Sequence, residues 1–180
     1  GYVSEHASYH HGEVSLTGTI INLAQNFTGS NNISLLYPSG QFGSRLQGGK
    51  DSASERYIFT VLNKITRTIF QKTDDNILEY LNDDGLSVEP IYYAPIIPMI
   101  LMNGSKGIGT GFSTDIMSYD PLQIISYLKS KLNDEEYNLD FIPYYEGFQG
   151  TIEKISGAAF KKRLWKIFAR LNFIAYDDSI

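Results

Sequence analysis

The chain has no cysteine, which excludes disulfides, thiolate nucleophiles and cysteine-bound zinc within its 180 residues. It has no apolar run approaching the roughly eighteen residues that a membrane span requires, and no signal-peptide pattern. Lys and Arg are missing altogether from residues 1–40. Two phosphate-binding signatures fail on inspection. A P-loop needs G-x-x-x-x-G-K-[ST], but Gly49-Lys50 is followed by Asp51, and Ser44 stands where the first glycine belongs. The G-x-G-x-x-G fingerprint begins at Gly107 and Gly109 but would place its third glycine at Phe112. An initiator Met is absent too. The opening Gly1-Tyr2-Val3 makes a piece of a longer protein the expectation.

What the chain does have is an uneven distribution of charge. Its net charge is −5, yet residues 41–72 carry six bases and two acids. Residues 73–153 carry three bases and fourteen acids, and residues 154–180 six bases and two acids. A basic stretch beside an acidic remainder suits either a solvated face or a phosphate-binding patch on a soluble domain.

The basic stretch centres on Gly43-Ser44-Arg45-Leu46-Gln47-Gly48-Gly49-Lys50-Asp51, which leads to Glu55-Arg56-Tyr57-Ile58-Phe59-Thr60. Glycines let a backbone approach its ligand closely and take positive φ. Arg45, Lys50 and Arg56 put permanent charge where a phosphate would sit. Tyr57 follows directly. It reads either as a half-buried packing residue with its hydroxyl toward water, or as a nucleophile toward a phosphodiester.

Around this centre the elements are legible. Leu16, Ile20, Leu23, Ala24 and Phe27 predict an amphipathic helix stopped at Gly29. Asn31 to Leu36 predicts a short strand, and Pro38-Ser39-Gly40 a turn into the basic loop. Ile58, Leu62, Ile65 and Ile69 fit a helix, although Ile58 to Val61 fits a strand equally well. A further helix is expected over Asn76 to Leu81, and Asp83-Asp84-Gly85 is a turn rather than a metal site. The prolines of residues 89–102 prevent one continuous helix there. In the glycine-rich stretch that follows, Ile108 is either a side chain tucked into its own core or an apolar wedge of the kind that DNA-bending proteins insert between base steps. Asp120-Pro121 starts a helix whose buried face is expected to be Leu122, Ile125, Leu128 and Leu132. Phe148 to Ile155 predicts a strand.

Four stretches together resemble the breakage-reunion core of type IIA DNA topoisomerases, in the branch of the eukaryotic and large-DNA-virus topoisomerase II. They are Tyr9-His10-His11-Gly12-Glu13 with Leu23-Ala24-Gln25-Asn26-Phe27; Gly40-Gln41-Phe42-Gly43-Ser44-Arg45; Gly48 to Ala53 with Arg56 to Thr60; and Pro95-Ile96-Ile97-Pro98 with Asn103-Gly104 through Gly111. The resemblance runs from Gly1 to about Ile155, and residues 156–180 do not align with the family.

The resemblance implies an α+β chain. Residues 1–118 would be a winged-helix DNA-cleavage domain, and residues 119–180 the start of an α/β tower, or shoulder, domain. Tyr57 would be the nucleophile that forms a 5′-phosphotyrosine link, and Arg56 its catalytic neighbour. Ile108 would be the intercalating wedge. Tyr9, His10, His11, Arg45 and Lys50 would touch double-stranded DNA. The implied enzyme is an ATP-dependent homodimer that passes one duplex through another. Its Mg²⁺ and ATP would be bound by domains outside this chain, so the piece alone is expected to be inactive. The implied location is the nucleus, or the host cytoplasm for a viral source. The rival expectation is a non-catalytic winged helix that binds and bends DNA.

Overall fold

Apolar side chains at helical spacing build the first long element of the computed structural model, α2 (Glu13–Ala24), after a single turn, α1 (Tyr2–His6). The structure describes residues 1–109, 111–138, 140–154 and 165–169. Helix α2 stops earlier than the glycine at 29 suggested. Gln25 already turns to extended backbone, with φ −60° and ψ 131°.

The strand expected at 31–36 is displaced to β1 (Leu36–Ser39), so that Pro38 and Ser39 lie in a strand and not in a turn. The reason is local. Asn31 Nδ2 donates to the carbonyls of Asn22 and Gln25, and Asn32 is committed elsewhere, so these amides compete with a ladder. Strand β1 pairs antiparallel with β2 (Phe59–Leu62), setting Leu36 opposite Leu62 and Ser39 opposite Phe59. The segment after Tyr57 is therefore a strand first, and only then one helical turn, α3 (Thr66–Ile69).

The helix expected over 76–81 is absent as well. A 3-10 turn over Lys72–Asn76 gives way to β3 (Tyr80–Asp83), which pairs with β4 (Leu86–Pro90). Asp84 and Gly85 take φ of 49° and 87°, the positive pair that a two-residue hairpin turn demands. Helix α4 (Met99–Met102) is short, as the prolines require. Strands β5 (Ser105–Gly109) and β6 (Phe112–Ile116) form another hairpin. Helix α5 (Pro121–Leu132) starts where Asp120 Oδ1 accepts the Leu122 N–H at 2.9 Å.

The core is small and sits where three helices meet. Ile69 of α3, Met102 of α4 and Ile124 of α5 are fully buried against one another. This corrects the buried face of α5. Leu122 and Leu132 are 72% and 83% exposed. The inward stripe is Ile124 and Leu128, flanked by Tyr127, whose ring meets Phe141 at 5.5 Å. Counting aliphatic residues alone hid the aromatic half of that stripe.

A polar node closes the same unit. Asn32 Nδ2 donates to the carbonyls of Met102 at 2.8 Å and Tyr144 at 3.1 Å, while its Oδ1 accepts the Glu146 N–H at 2.8 Å. Asn103 and Ile33 exchange a reciprocal pair of hydrogen bonds at 3.0 and 2.8 Å.

The chain divides into two compact units, Gly1–Glu146 and Gly147–Ile180. In the second, β7 (Gly150–Lys154) pairs antiparallel with β8 (Trp165–Ala169). Strand β7 matches the strand expected from Phe148, whose far end at Ile155 lies outside the described residues, as do 156–164 and 170–180.

Truncating Ile124 to Ala should cost about 2–5 kcal/mol, because it opens a cavity in this small core. Leu122→Ala should stay within about 0.5 kcal/mol. Chemical denaturation of the two variants compares them directly.

Candidate active site

The cationic loop is built on a single 3-10 turn and closed at its base. Ser44 is extended and leads into a single 3-10 turn, Arg45–Gln47, which Gly48 ends in the left-handed conformation with φ 59°. Within the loop the Gly49 N–H donates to Ser44 O at 2.9 Å and the Lys50 N–H to Gln47 O at 3.2 Å. Arg45 and Lys50 are exposed.

The two stems of the loop touch. A Cβ on Gly43 would lie 2.7 Å from the Gly49 Cα and carbonyl oxygen, and Gly43 itself takes φ +107°. Gly49, at φ +79°, has no room for a side chain either, because the Gln25 amide occupies that space. Gly43 is therefore a steric requirement of the loop, and Gly49 is required by its positive φ.

Two side chains outside the cationic set complete the closure. Gln25 Nε2 donates to Phe42 O at 2.9 Å and to Gly49 O at 3.1 Å. Asp51 Oδ1 accepts the Ser44 N–H at 2.7 Å, and its Oδ2 accepts Gln41 Nε2 at 3.4 Å. Hydrogen bonding from Ser44, its side chain first and its backbone second, holds the Asp51 carboxyl below its ordinary 3.8. Neither residue is distinguished by charge patterning. The available signals were a glutamine set among the apolar positions that end α2, and an acid placed immediately after Gly49-Lys50.

The loop base leads straight to Tyr57. The Ala53 N–H donates to Gln41 O at 2.9 Å, and a Cβ on Gly40 would lie 2.9 Å from Ile58 Cγ2. Tyr57 ends a 3-10 turn, Glu55–Tyr57, in which its N–H donates to Ser54 O at 2.9 Å. Its side chain is 67% exposed, so the packing alternative for Tyr57 does not hold. The Arg56 guanidinium carbon lies 5.0 Å from the centroid of the Tyr57 ring, a cation–π distance.

The remaining predicted residues sit on separate elements. Tyr9, His10 and His11 occupy the turn between α1 and α2, where the Tyr9 hydroxyl donates to Ser15 Oγ at 3.1 Å and its ring meets His11 edge-on at 5.4 Å. Ile108 is on the β5–β6 hairpin, opposite Ser113, and is 94% exposed. A side chain tucked into its own core is thus excluded. The geometry brings Arg45 and Lys50 together on one loop and Arg56 together with Tyr57. Histidines and wedge come from elsewhere in the chain. Among the described residues no three His, Asp or Glu side chains converge as a metal site.

Comparison with known proteins gives one consistent result. The family model for DNA gyrase/topoisomerase IV, in its A subunit, matches residues 1–175, extending past Ile155. DNA topoisomerase 2 of Pisum sativum is 58% identical over 154 residues, covering 86% of this chain and 10% of that protein. DNA topoisomerase 2-alpha of Homo sapiens is 55% identical over 156 residues, covering 87% of this chain and 10% of that protein. The crystal structure of the Plasmodium falciparum topoisomerase II DNA-binding, cleavage and re-ligation domain superposes with a TM-score of 0.84 at 53% identity. That match covers 87% of this chain and 21% of the solved one. The chain spans about a tenth of the length of these two relatives.

A lowered carboxyl stabilises the loop fully above its ordinary 3.8, and the contribution is lost as pH falls through the lower folded value. The Ser44 amide resonance should therefore titrate with a midpoint below 3.8, and Asp51→Asn should remove that titration from NMR spectra.

Proposed function

This chain belongs to the type IIA DNA topoisomerase family as a piece of the breakage-reunion core, and from that premise we propose that it carries the tyrosine with which a longer, ATP-dependent enzyme breaks and reseals duplex DNA. The observation that carries the reading is the exposed Tyr57 phenol, with the Arg56 guanidinium over its ring.

The chemistry follows from that placement. A phenol ordinarily ionises at pH ~10 and attacks poorly at neutrality. A cation at the phosphate favours the phenolate and counters the charge that builds on the pentavalent transition state. Arg56 supplies it permanently and can grip two phosphate oxygens at once. The Tyr57 oxygen forms a bond to phosphorus, the bond from phosphorus to the 3′ oxygen breaks, and the phenolic proton departs as the 3′ oxygen gains one. The DNA end stays attached as a 5′-phosphotyrosine. Attack by the 3′ hydroxyl reverses each step and reseals the strand.

Arg45 and Lys50 hold neighbouring phosphates on this reading, Tyr9, His10 and His11 meet the duplex at a second place, and Ile108 enters between base steps to bend it. On this reading residues 1–118 are the winged-helix domain and residues 119–180 begin the tower. Mg²⁺ and ATP are held by domains elsewhere in the enzyme, which works as a homodimer. A module that only binds and bends DNA would use Arg45, Lys50 and Ile108 equally well, but it gives no reason for a guanidinium over an exposed phenol.

In the full-length enzyme, Tyr57→Phe should leave duplex affinity unchanged while covalent protein–DNA adduct disappears on denaturing gels. Arg56→Ala should lower the cleavage rate by about 10²–10³-fold. Adduct formed by the Phe variant would overturn the assignment. Binding to duplex should also weaken with salt by a slope of about −0.9 per phosphate held. A slope near zero would remove the DNA-binding roles.

A further inference from the structure

We infer that Gln25 and Asp51 are positioning residues for DNA scission: Gln25 ties the loop 41–53 to the end of α2, Asp51 braces it from within, and together they fix where Arg45 and Lys50 meet the DNA relative to Tyr57. The inference rests on the function proposed above and deepens it.

Gln25 is the first residue past α2 and is only 9% exposed. A primary amide nitrogen has two protons. Gln25 spends one on Phe42 O and one on Gly49 O, at 2.9 and 3.1 Å. Those two carbonyls lie on opposite stems of the loop, one before Arg45 and one immediately before Lys50. A single side chain thus ties both stems to the end of a helix.

Asp51 braces the loop from within. An ionised carboxylate only accepts, and it accepts more strongly than a neutral group. It takes the N–H of Ser44, the residue before Arg45, at 2.7 Å. Each loop cation is therefore bonded in sequence to a residue that the clamp grips. Neither Gln25 nor Asp51 belongs to the Ile69–Met102–Ile124 core, so the clamp has a local task. The Ala53–Gln41 hydrogen bond and the close approach of Gly40 to Ile58 join this frame to the residue after Tyr57. Reacting groups displaced by about 1 Å lose on the order of 10²-fold in rate, which sets the scale of the effect expected on releasing the loop.

The test uses the full-length enzyme and its single-turnover cleavage of duplex DNA, with thermal unfolding as the check on folding. Gln25→Leu and Asp51→Ala, which removes the acceptor that an asparagine would keep, should each lower the cleavage rate, Gln25→Leu by about 10²-fold. The salt slope of binding should become shallower by about 0.9 for each phosphate no longer held. Both substitutions are then repeated in an Arg45→Ala, Lys50→Ala background. If the clamp acts through these cations, its removal there should change cleavage by less than about twofold, because coupled residues are not additive. The same full drop in both backgrounds would overturn the inference, since destabilisation alone acts whether or not the cations are present. Full cleavage by both variants in the native background would overturn it too. Should Gln25→Leu lower the unfolding temperature too far to assay, Asp51→Ala decides by the same comparison. An unsubstituted enzyme that forms no adduct would instead refute the proposed function, which separates the two failures.

Discussion

The loop that carries Arg45 and Lys50 can close only because positions 43 and 49 have no Cβ. Its two stems approach so nearly that one extra carbon on Gly43 would press into the Gly49 backbone. That approach leaves room for one flat amide and no more, and Gln25 occupies it. From this closure the turn over Arg45–Gln47 takes its geometry, and the strand-ward exit of the loop is directed toward Ile58. Backbone geometry, more than any ion pair, sets where the cations stand.

The site therefore divides its tasks. Charge is supplied by exposed side chains, while position is supplied by neutral amides, one carboxylate and glycine. A cation that also held the loop together would have to leave its partner in order to bind DNA. Among the described residues the side-chain bonds that close this loop come from Gln25 and Asp51 and not from Arg45 or Lys50. The Arg56–Tyr57 pair follows the same logic, with the guanidinium resting on the phenol ring rather than on an acid. Tyr57 itself stands in a 3-10 turn directly ahead of β2, so a paired strand anchors its backbone while the side chain stays in solvent.

The same economy appears in the rest of the Gly1–Glu146 unit. Three short helices meet at Ile69, Met102 and Ile124, and the Asn32 amide binds carbonyls far apart in sequence. A core this small leaves many apolar side chains exposed, among them Phe59, Val61 and Ile108. Exposed apolar surface of that extent is expected of a segment that spans about a tenth of the length of its relatives.

The family and several elements were legible in the residues themselves. The basic loop, the Arg56–Tyr57 pair, the helix of 13–24 and the Asp120-Pro121 start all follow from local pattern, because charge, capping and helical period are properties of neighbours in sequence. The strand at 31–36, the helix at 76–81 and the buried face of α5 did not follow. In each, a contact that the apolar pattern does not show decided the outcome: amide hydrogen bonds to Asn22 and Gln25 displaced the first strand, pairing with β4 across a two-residue turn claimed the second segment, and Phe141 with the α3–α4 core turned α5. The clamp belongs to the same class. Gln25 and Gly49 are ordinary letters until the fold sets one against the other, because a steric meeting of residues 24 positions apart has no local signature. The amino-acid order thus determined which groups could react, and the tertiary structure decided which of them are held still.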